Sequence, residues 1–418
     1  MYDIAITDGL CFIDRGFIQA NIGIEGNRIV YVGRKEIKGE VEINAYDKLV
    51  LPGLFNAHTH VAMTLLRGYA EDLPLNEWLK KIWDAERKLT TKDIYWGSML
   101  GILEMIKTGT TAFCDHYFLM DGVAEAVKES GIRAVLCYGM MDRGDREKGE
   151  RLLKESRKFI EKWDGESGII RTILGPHSIY MCSPEFLIKV KEHAKELKTL
   201  IHIHVSESER EVKEIKRKHG LTPLKFLNSI NFLSRNVIAV HCVWIDGSEL
   251  KILKEKDVSV VHNPVSNLKL ASGIARISEM IQKGIRVCIG TDGAASNNSY
   301  NMFEEMKVAL LLQKLLTKRT DVMRADDVLT IATENSYTAY GFNGGLIKKG
   351  KLADLILIDR KNPTLTPIYN PVNLIYSCRG CEVTHSIVNG KILLDDGRTS
   401  LSEEMIVRKA EKIAEKFV

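Results

Sequence analysis

The sequence predicts an α/β protein: a (β/α)8 barrel of the TIM type, with a small β-sandwich domain formed by the two ends of the chain. Three observations support this prediction. The middle of the chain alternates apolar, β-branched runs with charged, amphipathic stretches, whereas both ends carry short β-type runs broken by turns. Ionisable residues also cluster where predicted strands of the middle region end, as expected for a barrel with loops that carry the chemistry.

The middle region contains eight apolar runs of the length expected for buried strands. Each is followed by a stretch that can form a crossover helix, which favours parallel strands. Eight such units over roughly 250 residues are typical of a closed barrel rather than an open sheet. The predicted strands cover residues 49–56, 111–114, 134–138, 172–174, 200–205, 237–240, 258–261 and 287–289.

Short β-type runs occupy the first fifty residues and return after Gly350. They cover 4–6, 17–24, 28–32 and 41–43 at the start, and 355–358, 385–388 and 391–393 near the end, before an amphipathic helix near 402–417. Because chain termini often lie close together, we expect the two ends to form one domain with the barrel inserted between them. The predicted boundaries are 1–51 and 350–418 for the small β-domain and 52–349 for the barrel.

Composition excludes several classes of protein. The chain has 418 residues, 45% of them apolar and 27% charged, which is typical of a soluble globular protein. The net charge of +4 is spread along the chain, which argues against a nucleic-acid partner. No apolar run approaches the ~20 residues that a membrane span requires, and eight scattered cysteines favour a reducing, cytoplasmic location over a disulfide-linked secreted protein.

One cysteine motif needs a separate interpretation. Cys378 and Cys381 form a Cys-x-x-Cys pair, which could bind zinc or act in redox chemistry. No second pair accompanies it, and it falls in the region of the returning small β-domain, so we interpret it as a chance pair. The His-x-Glu and Pro-Cys-x-x-Cys motifs of cytidine-deaminase zinc sites are absent from the sequence.

Histidines are paired at two predicted strands. His58 and His60 lie two residues apart at the end of the first strand, so both side chains face the same side and can bind one metal ion. His202 and His204 share a face of the fifth strand in the same way, with His204 nearer the catalytic end. A single His-x-His is a weak signal, since both rings can simply face solvent or form hydrogen bonds.

Two further ionisable residues follow predicted strands. His241 ends the sixth strand, and Asp292 follows the eighth within a Thr-Asp-Gly sequence that alone would indicate only a turn. Three histidines and a carboxylate, with a water completing the shell, make a workable catalytic site for zinc or a similar ion. The coincidence of four such clusters at strand ends of one barrel therefore predicts a metal site.

The order of four motifs resembles the amidohydrolase superfamily, and within it the methylthioadenosine/S-adenosylhomocysteine deaminase group. The motifs are PGLFNAHTH, HIHVSE, AVHC and GTDGAASNN, and the resemblance extends to KKGKLADLILID near the end of the chain. It implies hydrolytic deamination of an adenosine-type nucleoside to the inosine-type product and ammonia. The expected substrates are 5′-deoxyadenosine, 5′-methylthioadenosine, S-adenosylhomocysteine and adenosine. It also implies a homo-oligomer, either a dimer or a tetramer.

The resemblance implies a ligand set and a cofactor. His58, His60, His204 and Asp292 are the implied ligands of one divalent metal ion. His177 falls where binuclear relatives often place a bridging lysine, which favours one ion over two. Zinc suits these ligands, although Fe2+, Mn2+ or Ni2+ can load the same set.

The resemblance also implies that Glu207 and His241 move protons. We expect His241 to orient and help deprotonate the attacking water, and Asp292 to accept a proton while it binds the metal. Glu207 then donates a proton to N1 of the base. In this scheme Glu207 and Asp292 also contact the substrate. The alternative for Glu207 is a surface acid at a helix N-terminus, and for His241 it is a hydrogen-bonded core histidine.

Four further residues are implied to bind substrate. Glu86 matches an acid that binds the ribose hydroxyls, and His177 matches a histidine that contacts substrate. Trp78 can cover the base or the 5′ substituent, and Arg151 can meet a 5′ extension such as a homocysteine carboxylate, although the sequence around Arg151 diverges. The alternatives are a salt-bridged surface acid for Glu86 and a core aromatic for Trp78.

The sequence is also compatible with two other functions. One is a hydrolase on the same barrel that acts on a free base or a triazine, such as a guanine or cytosine deaminase; Glu86 and His177 favour a ribose-bearing substrate instead. The other is a non-catalytic scaffold, which would be expected to have lost ligands that are all present in this sequence. The sequence does not rank the four nucleosides, because their 5′ groups project toward loops.

Overall fold

The computed structural model describes residues 1–417, with the side chains of all of them except Asn76. Its strands are β1 (Tyr2–Ile13), β2 (Gly16–Glu25), β3 (Arg28–Gly33), β4 (Gly39–Asn44), β5 (Lys48–Pro52), β6 (Leu54–His60), β7 (Thr110–Tyr117), β8 (Arg133–Met140), β9 (Ile170–Pro176), β10 (Ile201–Val205), β11 (Val237–His241), β12 (Ser259–His262), β13 (Val287–Ile289), β14 (Asp292–Gly293), β15 (Leu355–Asp359), β16 (Val383–Val388) and β17 (Lys391–Leu394).

Helices alternate with these strands through the middle of the chain. They are α1 (Leu75–Glu86), α2 (Thr91–Lys107), α3 (Met120–Ser130), α4 (Arg146–Trp163), α5 (Pro184–Leu197), α6 (Glu209–His219), α7 (Pro223–Ser229), α8 (Gly247–Glu255), α9 (Pro264–Lys269), α10 (Ile277–Gln282), α11 (Ala294–Asn297), α12 (Met302–Thr317), α13 (Ala325–Ala332), α14 (Glu334–Ala339), α15 (Leu374–Ser377) and α16 (Glu403–Ala414). Among residues 1–417, none of the helices has the length and hydrophobicity that crossing a bilayer requires.

The larger sheet is a closed parallel barrel. Its strand order is β13-β12-β11-β10-β9-β8-β7-β6-β14. β13 and β14 are two parts of the eighth barrel strand: the first pairs with β12, and the second pairs with β6, where Asp292 stands opposite Thr59. Between them lies Gly290, where a Cβ atom would stand only 2.5 Å from the backbone nitrogen of His58. The predicted (β/α)8 barrel is confirmed.

The start of the first barrel strand was predicted wrongly. Residues 49–56 were expected to form one strand, but Lys48–Pro52 is β5, which pairs with β1 and β15 of the smaller sheet. The barrel strand begins at Leu54, after the chain passes from one sheet to the other at Gly53. The two apolar runs are adjacent and carry no polar break, so their pattern reads as a single strand. The other seven predicted strands overlap β7–β13.

The smaller sheet joins the two ends of the chain. Its order is β17-β16-β15-β5-β1-β2-β3, with β4 beside β1. β5 comes before the barrel and β15 after it, and the two pair antiparallel with Leu355 opposite Pro52. Ile6, Ile22 and Leu357 belong to the apolar core on this sheet. The expected small β-domain is therefore confirmed, while the residue boundaries 1–51, 52–349 and 350–418 stay a prediction.

The inside of the barrel is a packed core. Phe55, Cys114 and Val240 lie in it and are fully buried, together with Tyr337 and Tyr340 from α14 and the residue that follows it. Tyr340 stacks on Phe55 with ring centroids 5.0 Å apart. Because the barrel interior is filled, any substrate must bind at the mouth formed by the carboxyl ends of the strands.

Candidate active site

Four side chains converge at the mouth of the barrel. His58 and His60 from β6 and His204 from β10 each offer a ring nitrogen, and these three atoms lie within 4.8 Å of one another. From β14, Asp292 Oδ1 lies 3.4 Å from His58 Nε2 and 3.2 Å from His60 Nε2. The structure thus brings together the four residues predicted as ligands. Three imidazoles and one carboxylate fit zinc or a similar divalent ion.

Unusual backbone conformations occur where the barrel strands end. Ser206, His241 and Asp292 all have positive φ angles, of 53°, 70° and 65°. Non-glycine residues adopt this region in only a small share of cases, and strained positions of this kind cluster at functional sites. Ser206 follows β10, His241 ends β11 and Asp292 begins β14, so each turns the chain next to or at a residue that faces the site.

Two of the ligand histidines are oriented by hydrogen bonds on the side of the ring that faces away from the site. His60 Nδ1 donates to the carbonyl oxygen of His116. His204 Nδ1 donates to the carbonyl oxygen of His177 at 2.7 Å. A carbonyl can only accept, so both rings donate through Nδ1 and direct Nε2 at the site. Such outer contacts are a regular feature of metal centres.

Asp292 is held by hydroxyl groups on its far side. Ser266 Oγ donates to Asp292 Oδ2 at 2.6 Å, and Ser296 Oγ donates to the same atom at 3.0 Å. Burial alone would raise the pKa of Asp292, but the adjacent imidazoles of His58 and His60 hold it well below its usual value. The carboxylate is therefore ionised, with Oδ1 directed at the histidines.

Burial sets the protonation of the histidines. It lowers the pKa of His58 to about 4 and that of His204 well below its ordinary value, so both stay neutral, which is the form that binds metal. For His60, burial also acts to lower the pKa, but the hydrogen bond and charge of Asp292 outweigh it and raise the pKa to about 9. His60 therefore must lose this proton when it binds a cation.

Glu207 and His241 lie beside the ligand cluster. Glu207 Oε2 is 3.9 Å from His241 Nε2. Burial raises the pKa of Glu207 to about 8, with a smaller contribution from the charge of Asp292, so its carboxyl is mostly protonated at neutral pH. Burial lowers the pKa of His241 to about 4, which keeps the ring neutral. The pair thus combines a protonated acid and a neutral base.

Glu211 holds the turn that carries Glu207. Its carboxylate accepts the backbone N–H of Ser206 at 3.0 Å and that of Glu207 at 2.8 Å. Ser208 caps α6 by accepting the backbone N–H of Glu211. Sequence reasoning missed Glu211, although Ser208 followed three residues later by a glutamate is a recognised pattern of helix starts.

A cavity of about 790 Å³, counting its open mouth, lies over the cluster. Glu86, at the end of α1, lines it and is 9% exposed. Tyr117, which sequence reasoning missed, donates its hydroxyl to Glu86 Oε1 at 2.6 Å. Burial raises the pKa of Glu86 to about 7, partly offset by that hydrogen bond. Glu86 is thus a buried acid of the cavity, and the surface salt-bridge alternative is wrong.

The other predicted substrate residues divide into two groups. Trp78 and His177 both line the cavity, and burial lowers the pKa of His177 to about 3. Arg151 lies exposed on α4 and is not a lining residue, so the structure does not bring it to the cavity. α4 turns its charged face to solvent. Arg143 lies closer instead: its guanidinium sits 5.5 Å from the centroid of the Trp83 ring, which does line the cavity.

Comparison with protein families identifies the class of protein. The model of the amidohydrolase family matches residues 49–393, and the chain therefore belongs to this family. An adenosine deaminase from Xanthomonas campestris with bound zinc has a similar structure, with a TM-score of 0.95 and 28% identity over 100% of this chain and 98% of that one. Together with the cluster of His58, His60 and His204, the family indicates a divalent metal centre.

Curated relatives match over the whole length of the chain. The 5-methylthioadenosine/S-adenosylhomocysteine deaminase 2 of Archaeoglobus fulgidus is 47% identical over 420 residues, covering 100% of both chains. The 5′-deoxyadenosine deaminase of Methanosarcina mazei is 46% identical over 411 residues, covering 97% of this chain and 95% of its own. An atrazine chlorohydrolase from Arthrobacter aurescens TC1 has a TM-score of 0.92 but only 23% identity, with 98% of this chain and 100% of its own covered, and shares the fold alone.

Proposed function

We propose that this protein is a metal-dependent aminohydrolase that converts adenosine-type nucleosides and water to the inosine-type product and ammonia. The substrates we propose are 5′-deoxyadenosine, 5′-methylthioadenosine, adenosine and S-adenosylhomocysteine, with zinc as the metal. One observation supports this most: a three-histidine, one-aspartate cluster, a buried acid beside it and a second buried acid at Glu86 all face one cavity. The names of the relatives point to the same chemistry.

Deamination requires water to add at C6 of the purine and the amino group to leave. His58, His60, His204 and Asp292 would hold a divalent metal, which would supply the nucleophile by lowering the pKa of a water. The neutral His241 orients that water, and Asp292 accepts a proton from it.

Glu207 completes the proton transfers. Addition at C6 places electron density on N1, and the protonated carboxyl of Glu207 donates a proton there. Expulsion of ammonia then needs a proton on the amino group, and the new C6 hydroxyl must lose one to become the carbonyl. Glu207, now a carboxylate, takes that hydroxyl proton and delivers it to the amino group. The proton held by Asp292 then restores the acid form of Glu207. The raised pKa of Glu207, about 8, supports this role because the acid form dominates at neutral pH.

Glu86 is our candidate for binding the ribose. A carboxylate can accept hydrogen bonds from two neighbouring hydroxyls, and one of its oxygens already accepts from Tyr117.

We assign Trp78 and His177 to the base or the 5′ side of the nucleoside. The indole Nε1 of Trp78 is buried and has no hydrogen-bond partner among the described residues, so it is available to donate to a substrate.

A pH profile tests the role of Glu86. Only its carboxylate form accepts two ribose hydroxyls, so kcat/KM should fall as the pH decreases through about 7, the pKa that burial gives this group. Tyr117→Phe removes the hydrogen bond that lowers this pKa, so the acid limb should move to higher pH. The measurement is kcat/KM for 5′-deoxyadenosine from pH 5 to 9. Tyr95→Phe is the matched control, since that hydroxyl bonds to Glu129 on the surface; an unmoved limb in Tyr117→Phe would count against the assignment.

An ammonia-release assay over nucleosides and free bases tests the proposed reaction. We expect turnover of the four nucleosides and none of adenine, guanine or cytosine, because a free base lacks the ribose that Glu86 binds. Turnover of bases but not of nucleosides would refute a nucleoside deaminase and favour the base-acting alternative.

The cavity wall predicts a ranking of 5′ substituents. Leu75, Leu79, Ile82, Phe118 and Met141 line it, and no lysine or arginine is among the described lining residues. The carboxylate of S-adenosylhomocysteine would be desolvated there without a cationic partner in the wall, because Arg143 lies over the Trp83 ring but is not itself a lining residue. We expect kcat/KM for 5′-deoxyadenosine and 5′-methylthioadenosine to exceed that for S-adenosylhomocysteine at least about tenfold, which corresponds to ~1.4 kcal/mol. Equal kcat/KM values for the three nucleosides in a competition assay would show that the cavity wall does not discriminate between 5′ substituents.

A further inference from the structure

We propose that His202 is a positioning residue of the metal centre: its imidazole accepts the Nδ1 proton of His58 and so holds that ligand in the tautomer that offers Nε2 to the metal. The inference rests on the metal-dependent function proposed above. His202 precedes the ligand His204 by two residues on β10, and no step of the proposed mechanism uses it.

The three ligand histidines are supported in two different ways. His60 and His204 direct Nδ1 at backbone carbonyl oxygens. His58 Nδ1 instead lies 2.8 Å from Nε2 of His202, and both rings are fully buried. Its support therefore depends on a side chain, which substitution can remove without changing the backbone.

The proton on His58 is placed by the geometry of the cluster. His58 Nε2 faces the site, since it lies 3.3 Å from His204 Nε2 and 3.4 Å from Asp292 Oδ1. A neutral imidazole that gives the lone pair of Nε2 to a metal carries its proton on Nδ1. That proton points at His202, so His202 Nε2 must be unprotonated to accept it.

The proton on His202 then follows. With Nε2 as acceptor, the neutral ring carries its proton on Nδ1, and that atom lies 3.2 Å from the hydroxyl oxygen of Tyr340. Tyr340 in turn donates its own proton to the carbonyl oxygen of Ala57. Each proton in this series of hydrogen bonds, from His58 to Ala57, thus has an acceptor. The direction of the series is fixed at its far end, because the carbonyl of Ala57 can accept a hydrogen bond but cannot donate one.

A purely structural role for His202 would have a different consequence. As a packed core residue, beside Cys114 Sγ at 3.8 Å, it would contribute to the stability of the fold whether or not metal is bound. As a positioning residue, it must affect metal affinity as well. Outer contacts of this kind change metal affinity about 10- to 100-fold in other metal centres.

Three variants separate these roles. His202→Phe removes the acceptor and keeps a buried ring, and Tyr340→Phe removes the hydroxyl that anchors His202. Tyr337→Phe is the matched control, because its hydroxyl is equally buried but contacts Thr111 and Asp354. The measurements are the Zn2+ dissociation constant by chelator competition, the visible spectrum of the Co2+-loaded protein, and the melting temperature without metal.

We expect His202→Phe to bind Zn2+ about 10- to 100-fold more weakly and to show an altered Co2+ spectrum. Tyr340→Phe should show a smaller loss, and Tyr337→Phe none. A folded His202→Phe with parental Zn2+ affinity would overturn the proposal. If that variant does not fold, equal Zn2+ affinities in Tyr340→Phe and Tyr337→Phe would overturn it. Failure of the parent protein to bind Zn2+ would instead count against the proposed function.

Discussion

Replacing Glu207 with glutamine is expected to lower kcat for 5′-deoxyadenosine about 10²- to 10⁴-fold, the usual contribution of a positioned general acid. Glutamine has nearly the same shape but cannot transfer the proton to N1. The backbone turn should persist, because it is held by the Glu211 carboxylate, which accepts the N–H of residue 207 and of Ser206. Steady-state kinetics with metal analysis of the same sample measures the effect.

Glu209→Gln provides the control. It removes a carboxylate two residues away, where the side chain is 51% exposed and pairs with Lys213 on the surface of α6. We expect its kcat to match that of the parent. A Glu207→Gln protein that carries its metal and retains kcat within tenfold of the parent would show that another group donates the proton.

Asp292→Asn is expected to have a comparable or larger effect. Asp292 is the only carboxylate among the four proposed ligands, and its Oδ1 faces both His58 and His60. The amide removes a negative charge from the cluster and the group that accepts a proton from water. Because metal catalysis of this kind contributes several kcal/mol, we expect kcat/KM to fall about 10³-fold or more, together with the metal content per chain.

Ser296→Ala is the graded control for this variant. It removes one of the two hydroxyls that donate to Asp292 Oδ2 and leaves the other, on Ser266, in place. We expect a small decrease in kcat/KM with metal retained. Parental metal content and parental turnover in Asp292→Asn would exclude Asp292 from both proposed roles.

The barrel could be predicted from the sequence because buried strands and amphipathic helices have different patterns of apolar residues. Seven of its strands were located by apolar runs alone, which reflect burial on both faces of a parallel sheet. The first barrel strand, predicted at 49–56, was misplaced because residues are buried equally on both sides of Gly53, and an apolar pattern does not show where a chain passes from one sheet to another. The interruption at Gly290 between β13 and β14 also has no signature in the sequence, because it reflects how closely the backbone of His58 approaches Gly290.

The metal cluster was predictable for a topological reason. A parallel barrel collects the carboxyl ends of all its strands at one mouth, so His58, His204 and Asp292 meet although they are far apart along the chain. Arg151 was misplaced and Arg143 missed because both follow β8, where the path of the loop depends on individual φ angles. One of these is the positive φ of 53° at Arg143 itself, which no sequence pattern predicts.

The hydrogen bonds that hold the site residues from outside could not be predicted from the sequence, because they join residues that are far apart along the chain. Tyr117 and Glu86 lie 31 residues apart, and Tyr340 and His202 lie 138 apart, so neither pair has a local signature. His202 was recognised as sharing a face with His204, but its partner atom on His58 depends on strand register and ring rotation. These are properties of the folded barrel.

Removal and return of the metal test whether catalysis by this protein depends on a metal ion at the mouth of the barrel. The measurement is the rate at which 5′-deoxyadenosine is converted to its inosine-type product, first after complete chelation and then during titration with Zn2+. We expect no turnover by the metal-free protein and full recovery at one equivalent of Zn2+ per chain, bound at the cluster of His58, His60, His204 and Asp292. Full turnover by a protein shown to contain no metal would contradict it.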